Sequence, residues 1–285
     1  MDEWKQGRSR NTLDRSGSAG GASQKFYRHK PFVGVEHFVK VEVRDGRCPS
    51  VSTSSRPPVE TPVERTKNYQ HQSEYFASAR YRAANDPVVA AYALPKLNLI
   101  EQVIPLTEAS VLDVGCGNGV FTLYLRDRCR SVTGVDFSDR MLSENPCQPL
   151  IQADIEHLPI QSDAFDVCFE ANVLHHVDSP RQVVEEMARA SRRWVVLLEP
   201  NRSNPVMFAF GVLVKAERAL LRSHAGGLRR LAESCGLIVR LSLSTGMISQ
   251  NNTPASLVPL LRYFDRPFAL GEYLIVVAEK TLSKS

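Results

Sequence analysis

The sequence has few cysteines and no closely spaced pair of them. Six cysteines are spread over 285 residues, and no two have the Cys-x-x-Cys spacing of zinc sites or redox motifs. No metal site is therefore predicted. Scattered thiols, together with an N-terminus that lacks the apolar stretch of a secretory signal, favour a reducing compartment. A cytoplasmic location is the expectation.

Long apolar runs and a strong excess of one charge are also missing. The longest apolar run covers residues 206–214, far short of the roughly 20 residues that a membrane-spanning helix needs. The formal net charge is only +4, too small by itself to indicate nucleic acid as a partner. No nucleic-acid partner and no transmembrane segment are expected. Transient membrane contact stays open, and the oligomeric state is not indicated.

The first 65 residues differ in composition from the rest. Residues 16–23 are rich in Gly and Ser, and residues 49–65 are rich in Ser, Thr and Pro. Such segments bury too little apolar surface to offset chain entropy. Between them, residues 32–46 alternate well enough for one strand or a hairpin arm. We expect residues 1–65 to be a mostly disordered extension and residues 66–285 to form one domain.

Strands and helices alternate regularly between residues 110 and 200. Short apolar runs, typical of doubly buried strands, are separated by segments with helical periodicity. This alternation predicts an α/β fold with a doubly wound, mainly parallel sheet. Helical cover is expected from residues 68–104 and 201–224, with the latter read as one long apolar helix. Two further strands near the C-terminus would form an antiparallel pair at the sheet edge.

A glycine-rich turn follows the first strand of this alternation. The strand ends near Val114, and Gly115, Gly117 and Gly119 then open a helix. Glycines allow a ligand to approach the backbone closely, and the free N–H groups of a helix start favour polar or anionic groups. A dinucleotide fingerprint, G-x-G-x-x-G, would place its third glycine at position 120, which is Val120. The spacing therefore differs from that of nicotinamide-binding proteins.

Carboxylates follow the successive strands. Asp113 precedes the first glycine by two positions, Asp136 ends the next strand, and Asp154 follows the one after. A carboxylate at the tip of the second strand can accept hydrogen bonds from both ribose hydroxyls of a nucleoside. Asn172 lies at the end of a later strand, where ligands bind in open α/β sheets. Each carboxylate has a structural alternative as a helix cap, a turn residue or a solvated side chain.

The string Asp113-x-Gly-x-Gly-x-Gly119, followed by Asp136, Asp154 and the segment 165–177, resembles the ordered motifs of class I S-adenosylmethionine-dependent methyltransferases. The resemblance is closest to small-molecule enzymes of the kind found in quinone biosynthesis. It is strong over residues 105–200, fair over 225–280 and absent before residue 70. It implies a Rossmann-like, mainly parallel seven-stranded sheet with an antiparallel C-terminal edge strand. It also implies S-adenosylmethionine as cofactor and methyl transfer to a small organic acceptor; the apolar helix after residue 204 allows a lipophilic one.

The resemblance assigns roles to particular residues. By this resemblance the cofactor would be held by Asp113, Gly115, Cys116, Gly117, Asn118, Gly119, Asp136, Phe137, Met141, Asp154, Ile155 and Asn172. The candidate general bases are His176 and His175, because histidine titrates near neutrality. Glu170 and Glu199 are weaker candidates for the same role.

Two other functions stay open on the sequence alone. One is a nicotinamide-dependent oxidoreductase on a related fold, which the absence of a glycine at position 120 disfavours. The other is a non-catalytic partner that binds the cofactor without using it. The glycine loop together with Asp113 and Asp136 argues against that alternative.

Overall fold

The computed structural model describes residues 39–42, 50–53, 74 and 80–281. Strands β1 (Val39–Glu42) and β2 (Ser50–Thr53) form a separate antiparallel pair. The alternation of residues 32–46 predicted one strand, and β1 lies within it. The pairing strand β2 lies at the start of the Ser-rich stretch that we expected to be disordered. The rest of the prediction for residues 1–65 lies outside the described residues.

The main sheet has seven strands. These are β3 (Ser110–Val114), β4 (Ser131–Asp136), β5 (Leu150–Gln152), β6 (Phe165–Ala171), β7 (Ser191–Pro200), β8 (Leu237–Thr245) and β9 (Tyr273–Lys280). Their order is β5-β4-β3-β6-β7-β9-β8. The first five are parallel, and β9 runs antiparallel to both β7 and β8. The predicted fold class is confirmed. The antiparallel C-terminal strand β9 lies one position in from the edge, with β8 outside it.

Helices cover the sheet. They are α1 (Pro87–Glu101), α2 (Thr122–Arg126), α3 (Asp139–Glu144), α4 (Pro180–Ala190), α5 (Pro205–Leu213), α6 (Ala225–Ser234) and α7 (Val258–Leu261), with 3-10 helices at Ile155–His157, Lys215–Arg222, Ala255–Leu257 and Arg262–Phe264. Several begin at side-chain caps of the expected residue types, such as Asp86, Ser138, Ser179 and Asn204. Within the described residues, no helix combines the length and the apolar character needed to cross a membrane.

Alternate strand residues build two cores, one on each face of the sheet, because neighbouring side chains on a strand point in opposite directions. One face packs against α1, and its strand residues include Val111, Val167, Phe169, Val196 and Ile275. The other packs against α4 and α6, and its strand residues include Leu112, Val114, Cys168, Leu197 and Val276. The strands are therefore buried on both sides, which explains their unbroken apolar sequences.

One proline has an unusual position, and one helical prediction differs from the structure. Proline usually starts or breaks a helix, yet Pro95 lies inside α1, where the burial of nine helix residues outweighs the lost hydrogen bond. The segment after Asn204 was expected to form one helix as far as Arg222. Instead α5 ends at Leu213, Val214 adopts an extended conformation, and a 3-10 helix follows.

Candidate active site

The candidate site lies where the strand order of the main sheet changes direction. The chain runs from β3 outward to β5 and then returns to β6 on the other side of β3. In open α/β sheets, ligands bind beyond the carboxyl ends of the strands at such a point. The glycine loop after β3 and the segment 172–176 after β6 both lie there, as the sequence predicted.

Three glycines of the loop have a left-handed backbone: φ is +71° at Gly115, +49° at Gly117 and +89° at Gly119. The N–H groups of Gly115 and Cys116 both donate to the carbonyl of Val135, at 2.7 and 3.0 Å. These bonds tie the loop to the end of β4. Because other residues rarely adopt positive φ, the glycines at these three positions are required by the backbone itself.

Close packing adds a second requirement at two of these glycines. A Cβ atom on Gly115 would lie 2.3 Å from a methyl group of Val173, and one on Gly119 would lie 2.5 Å from the side-chain oxygen of Asn145. At Gly117 the nearest atom is the terminal methyl of Met141, at 3.1 Å. The loop backbone is therefore approached closely by side chains from two other segments of the site.

Gly115→Ala should lower the free energy of unfolding by about 2 to 4 kcal/mol, because left-handed strain and the clash with Val173 act together. Gly236→Ala is the matched control: Gly236 has φ of +78° and nothing within 4 Å of an added Cβ. That variant should lose only about 1 kcal/mol. Urea denaturation measures both. The double variant Gly115→Ala/Val173→Ala should recover part of the loss; equal losses for the two single variants would contradict the packing argument.

Asp136 ends β4 and is 7% exposed. One carboxylate oxygen accepts from the N–H of Gly117 at 2.9 Å, and the other accepts from the N–H of Ser138 at 2.8 Å. Burial raises its pKa, while these backbone donors oppose the shift. The backbone N–H of Phe137 is a third donor, and a carboxylate has about four acceptor positions, so capacity remains for a hydroxyl donor. Asp136 thus holds the glycine loop, and its contact with a ribose stays a prediction.

Asp113 lies inside β3 and is 2% exposed. Its carboxylate accepts from the hydroxyl of Thr122 at 2.6 Å. Burial raises the pKa of Asp113 to about 7; the Thr122 hydrogen bond opposes this shift and the charge of Asp136 adds to it. A buried carboxyl with such a pKa is stabilised in its charged form by a nearby cation. The ammonium group of a bound amino acid would supply that charge, so Asp113 fits the predicted cofactor.

Three other predicted contacts lie around the loop. Met141 is buried on α3 over Gly117. Asn118 is buried, but its amide donates to the carbonyl of Arg82 at 2.9 Å and so anchors the loop to the segment before α1. The carbonyl of Phe137 accepts from Gln152 at 3.1 Å. The structure brings all three to the edge of the loop, and their contact with a cofactor stays a prediction.

Asp154 and Ile155 follow β5. One oxygen of Asp154 accepts from the N–H of Glu156 at 2.9 Å and caps the 3-10 helix Ile155–His157. Its side chain is 55% exposed. Ile155 is buried in the core face that packs against α4. The structure thus shows the capping role for Asp154, and its contact with adenine stays a prediction.

Asn172 follows β6 with a positive φ of +58°, which asparagine tolerates better than most residues. Its amide donates to the hydroxyl of Tyr92 at 2.7 Å. The Tyr92 ring packs edge-on against Phe121 and Tyr273. Helix α1 therefore supplies a hydroxyl and an aromatic wall at the site, a contribution that the sequence did not reveal.

His175 lies in a buried cluster of charged groups. Its Nδ1 is 2.7 Å from Glu199 on β7, and its Nε2 is 3.5 Å from Glu217 in the 3-10 helix Lys215–Arg222. Burial opposes a charge on this ring, but Glu199 and Glu217 outweigh it and raise the pKa of His175 to about 10. His175 is therefore an imidazolium at neutral pH and cannot act there as a base.

His176 has the opposite protonation. Its ring lies 4.0 Å from the His175 ring, centre to centre, and its Nε2 is 4.0 Å from Glu217. Burial and the positive charge of His175 lower the pKa of His176 to about 3, although Glu217 opposes the shift. The neutral ring can accept a proton. Of the two predicted bases, only His176 is in a form that can act at neutral pH.

The cluster of two histidines and Glu217 also resembles a metal-binding site. One donor atom from each lies within 4.8 Å of the others, a grouping that could receive a divalent cation. The ion-pair contacts account for the same grouping without a cation, since Glu217 faces the imidazolium of His175. We therefore describe it as a charge-paired cluster.

The remaining weaker candidates for a base are structural. Glu199 accepts from the backbone N–H groups of Val173 and Leu174, at 2.8 and 2.9 Å, besides contacting His175. Glu170 is fully buried and accepts from the N–H of Leu198 at 3.1 Å. Burial and the neighbouring charge of Glu199 raise the pKa of Glu170 well above its usual range. Both side chains hold the loop after β6 rather than facing an open site.

Sequence reasoning missed three residues of this site. Asn145 donates to the carbonyl of Gly117 at 3.2 Å and thereby fixes the loop from α3. Tyr92 and Glu217 arrive from the covering helices. A signal for Glu217 was present, because it is the sole acidic residue between positions 202 and 222. A lone carboxylate in an apolar and basic segment indicates a specific partner.

Comparison with known proteins agrees with this geometry. Residues 112–197 match the family described as a methyltransferase domain. The chain is 33% identical over 129 residues to a malonyl-[acyl-carrier protein] O-methyltransferase of Hamiltonella defensa, covering 43% of this chain and 50% of the relative. It is 32% identical over 130 residues to a ubiquinone biosynthesis O-methyltransferase of Nitrosomonas europaea, covering 41% and 55%. The chain thus spans about half the length of the curated relatives it matches.

A solved structure shares the fold. It is a S-adenosylmethionine-dependent methyltransferase of Thermotoga maritima, a possible histamine N-methyltransferase, with a TM-score of 0.53 and 15% identity. The match covers 74% of this chain and 95% of the other. The family match lies on the strands that carry the glycine loop, Asp136 and the histidines. Residues 112–197 are thus similar to a methyltransferase domain, and the solved structure shows the same fold.

Proposed function

We propose that the protein transfers a methyl group from S-adenosylmethionine to a small organic acceptor. The observation that carries the proposal is the grouping of Asp113, the glycine loop and Asp136 at the switch point, on the segment that matches the methyltransferase family. The match supports this function over the nicotinamide-dependent and non-catalytic alternatives. The cytoplasmic location and the lack of a nucleic-acid partner remain predictions.

Each residue of the site would have its own role in this reaction. The cofactor, when bound, supplies a methyl group on a positively charged sulfur. Asp136 would hold the ribose hydroxyls, and Asp113 would pair with the ammonium of the methionine part. The Asn172–Tyr92 hydrogen bond holds Asn172 at the end of β6, beside which the reacting centre would lie. Alignment of donor and acceptor, with water excluded, is the main source of rate for such a displacement.

The acceptor that suits this site is an acidic oxygen. A base with a pKa as low as that of His176 removes a proton efficiently only when the proton is itself acidic. A carboxylic acid is already ionised at neutral pH and needs no base, whereas a phenol, more acidic than an alcohol, is the acceptor whose proton His176 would have to take. The printed names of the two relatives, O-methyltransferases of a malonyl group and of a ubiquinone precursor, point in the same direction. The apolar residues of α5 beside the site extend the proposal to lipophilic acceptors.

Two measurements test this function. Calorimetric titration of the full chain with S-adenosylmethionine, S-adenosylhomocysteine and a nicotinamide dinucleotide should show saturable binding of the first two and none of the third. Transfer of labelled methyl groups to a panel of carboxylic acids, phenols and amines should favour the acidic oxygens. Cofactor binding without transfer to any acceptor would support the non-catalytic alternative, and dinucleotide binding alone would support the oxidoreductase.

His176→Gln should lower kcat about 100-fold for a phenol acceptor and leave cofactor affinity unchanged. The reason is that glutamine keeps a hydrogen-bonding group but cannot take the proton. A carboxylate acceptor, already ionised, needs no base and should show little change. Steady-state rates at saturating cofactor measure both. Equal losses for the two acceptor classes would mean that His176 has only a structural role.

A further inference from the structure

Exposed apolar side chains are concentrated in two segments. Among the described residues, nine large apolar side chains are strongly exposed, and eight of them belong to residues 206–213 or 257–270. We call these eight the apolar rim: Val206, Phe208, Val212, Leu213, Leu257, Leu260, Tyr263 and Leu270. Scattered exposed apolar residues are normal, but a grouping of this size marks a surface that meets another apolar phase.

The exposure of apolar side chains is clearest in helix α5. All nine of its residues are nonpolar, yet only Met207 and Gly211 are buried. Phe208 is 52% exposed and Leu213 is 81% exposed. A helix that is apolar on every side is normally buried on every side. Most of the apolar surface of α5 therefore lacks a partner within the described part of the chain.

The two segments of the rim adjoin each other at the edge of the site. The Asn204 amide, at the start of α5, donates to the carbonyl of Leu270 at 2.7 Å. One segment follows β7 and the other follows β8, and these strands end at the same edge of the sheet as β3. The 3-10 helix after α5 brings Glu217 to the histidines. The rim therefore lies at the edge of the sheet where the candidate site is formed.

Positive charge accompanies the rim. Residues 202–222 and 254–270 contain six basic side chains, and all six are exposed: Arg202, Lys215, Arg218, Arg222, Arg262 and Arg266. The same residues contain two acidic side chains, Glu217 and Asp265, and both are half-buried. The exposed charge beside the apolar residues is thus predominantly positive. Apolar side chains flanked by exposed cations match an anionic lipid surface, which offers a negative headgroup layer over an apolar interior.

We propose that the apolar rim docks the protein on the surface of an anionic lipid bilayer. Helix α5 has nine residues, a length of about 14 Å at 1.5 Å per residue, so it lies in the interface rather than across it. Docking would turn the entrance of the site toward the lipid and give access to an acceptor dissolved there. That last consequence rests on the proposed function, whereas docking itself does not.

Flotation of the full chain with lipid vesicles tests the docking. The protein should float with vesicles of phosphatidylcholine and phosphatidylglycerol, and much less with phosphatidylcholine alone. Phe208→Ser/Leu213→Ser should lower the partition coefficient at least tenfold, because two apolar side chains that insert into the lipid are lost. Arg218→Gln/Arg222→Gln should lower it about tenfold, and high salt should have a similar effect. The matched control is Ile238→Ser, an exposed apolar residue on β8 away from both segments.

Each variant needs a cooperative melt like that of the wild type. Leu213→Ser alone serves if the double variant does not fold, because Leu213 is the most exposed of the rim. A wild-type chain that stays in solution with both kinds of vesicle would overturn the proposal. A dimer would overturn it as well, if sedimentation shows that the dimer depends on concentration, that Leu213→Ser dissociates it and that vesicles remain unbound. The rim would then be covered by a second copy. Vesicle binding involves no turnover, so a failure of methyl transfer leaves this result unaffected.

Discussion

Glu199→Gln should lower the free energy of unfolding by about 3 to 5 kcal/mol, because it leaves a buried imidazolium without its nearest counter-charge. Glu199 lies 2.7 Å from His175, and both side chains are at most 5% exposed. The glutamine oxygen can still accept from the N–H groups of Val173 and Leu174, while its NH2 group would face His175, so the change removes both the counter-charge and the acceptor of the imidazolium. For a domain of this size the melting temperature should fall by on the order of 10 °C. Urea denaturation and calorimetry measure the two quantities.

Glu170→Gln is the matched control on the adjacent strand. Burial and the charge of Glu199 raise the pKa of Glu170 well above its usual range, which favours the protonated carboxyl, and a glutamine resembles that form closely. We expect a change of under about 1 kcal/mol. If Glu199→Gln and Glu170→Gln were equally destabilising, the stability would depend on hydrogen bonding alone and not on the charge of His175.

The same pair should make stability depend on pH. The folded pKa of His175, about 10, lies above its ordinary 6.5. Its contribution is therefore fully present below about pH 6.5 and is lost as the pH rises through about 10. Across that window the unfolding free energy of the wild type should fall toward that of Glu199→Gln. Denaturation curves at a series of pH values measure the difference; a constant difference would contradict the assigned protonation.

Asp136→Ala should weaken the binding of S-adenosylhomocysteine by at least about 100-fold, or roughly 3 kcal/mol. The variant loses the ribose acceptor and also leaves the N–H groups of Gly117 and Ser138 without their partner, and hydrogen bonds to a charged group contribute about 1.5 to 3 kcal/mol each. Isothermal titration calorimetry measures the affinity directly.

Two further variants serve as comparisons for Asp136→Ala. Asp139→Ala removes an exposed carboxylate three positions away and should bind as the wild type does. Asp136→Asn keeps one acceptor oxygen and should fall between the two. A cooperative melt of Asp136→Ala must accompany the loss, since the loop depends on the same carboxylate. Affinity within twofold of the wild type would remove Asp136 from the cofactor site.

The part of the site that could be predicted from the sequence depends on contacts close along the chain. The bond from Gly117 to Asp136 joins the loop after β3 to the end of β4, 19 positions along the chain. Alternating strands and helices fix where such strand ends meet, so the glycine loop and Asp136 follow from pattern alone. The parallel direction of strands β3 to β7 follows for the same reason.

The part that could not be predicted depends on how the covering segments pack. The Asn172–Tyr92 bond joins residues 80 positions apart, and no local pattern marks Tyr92 as more than a core residue. The opposite protonation of His175 and His176 results from Glu199 and Glu217, which reach the histidines from different elements. Two adjacent histidines look equivalent in a sequence, whereas their electrostatic surroundings are not. The break after Leu213 likewise reflects tertiary packing rather than helix propensity.

The position of β9 has a consequence for how the molecule assembles. Strand β8 comes earlier in the chain, but its partner in the sheet is β9, which lies between it and β7. Strand β8 can therefore join the sheet only together with β9 or after it, and pairings over such sequence distances form late and slowly. The connection between them, which carries Leu257, Leu260, Tyr263 and Leu270, is held at both ends only once that step is complete. The pairing of β9 with both neighbours is thus coupled to the placement of these apolar residues beside α5.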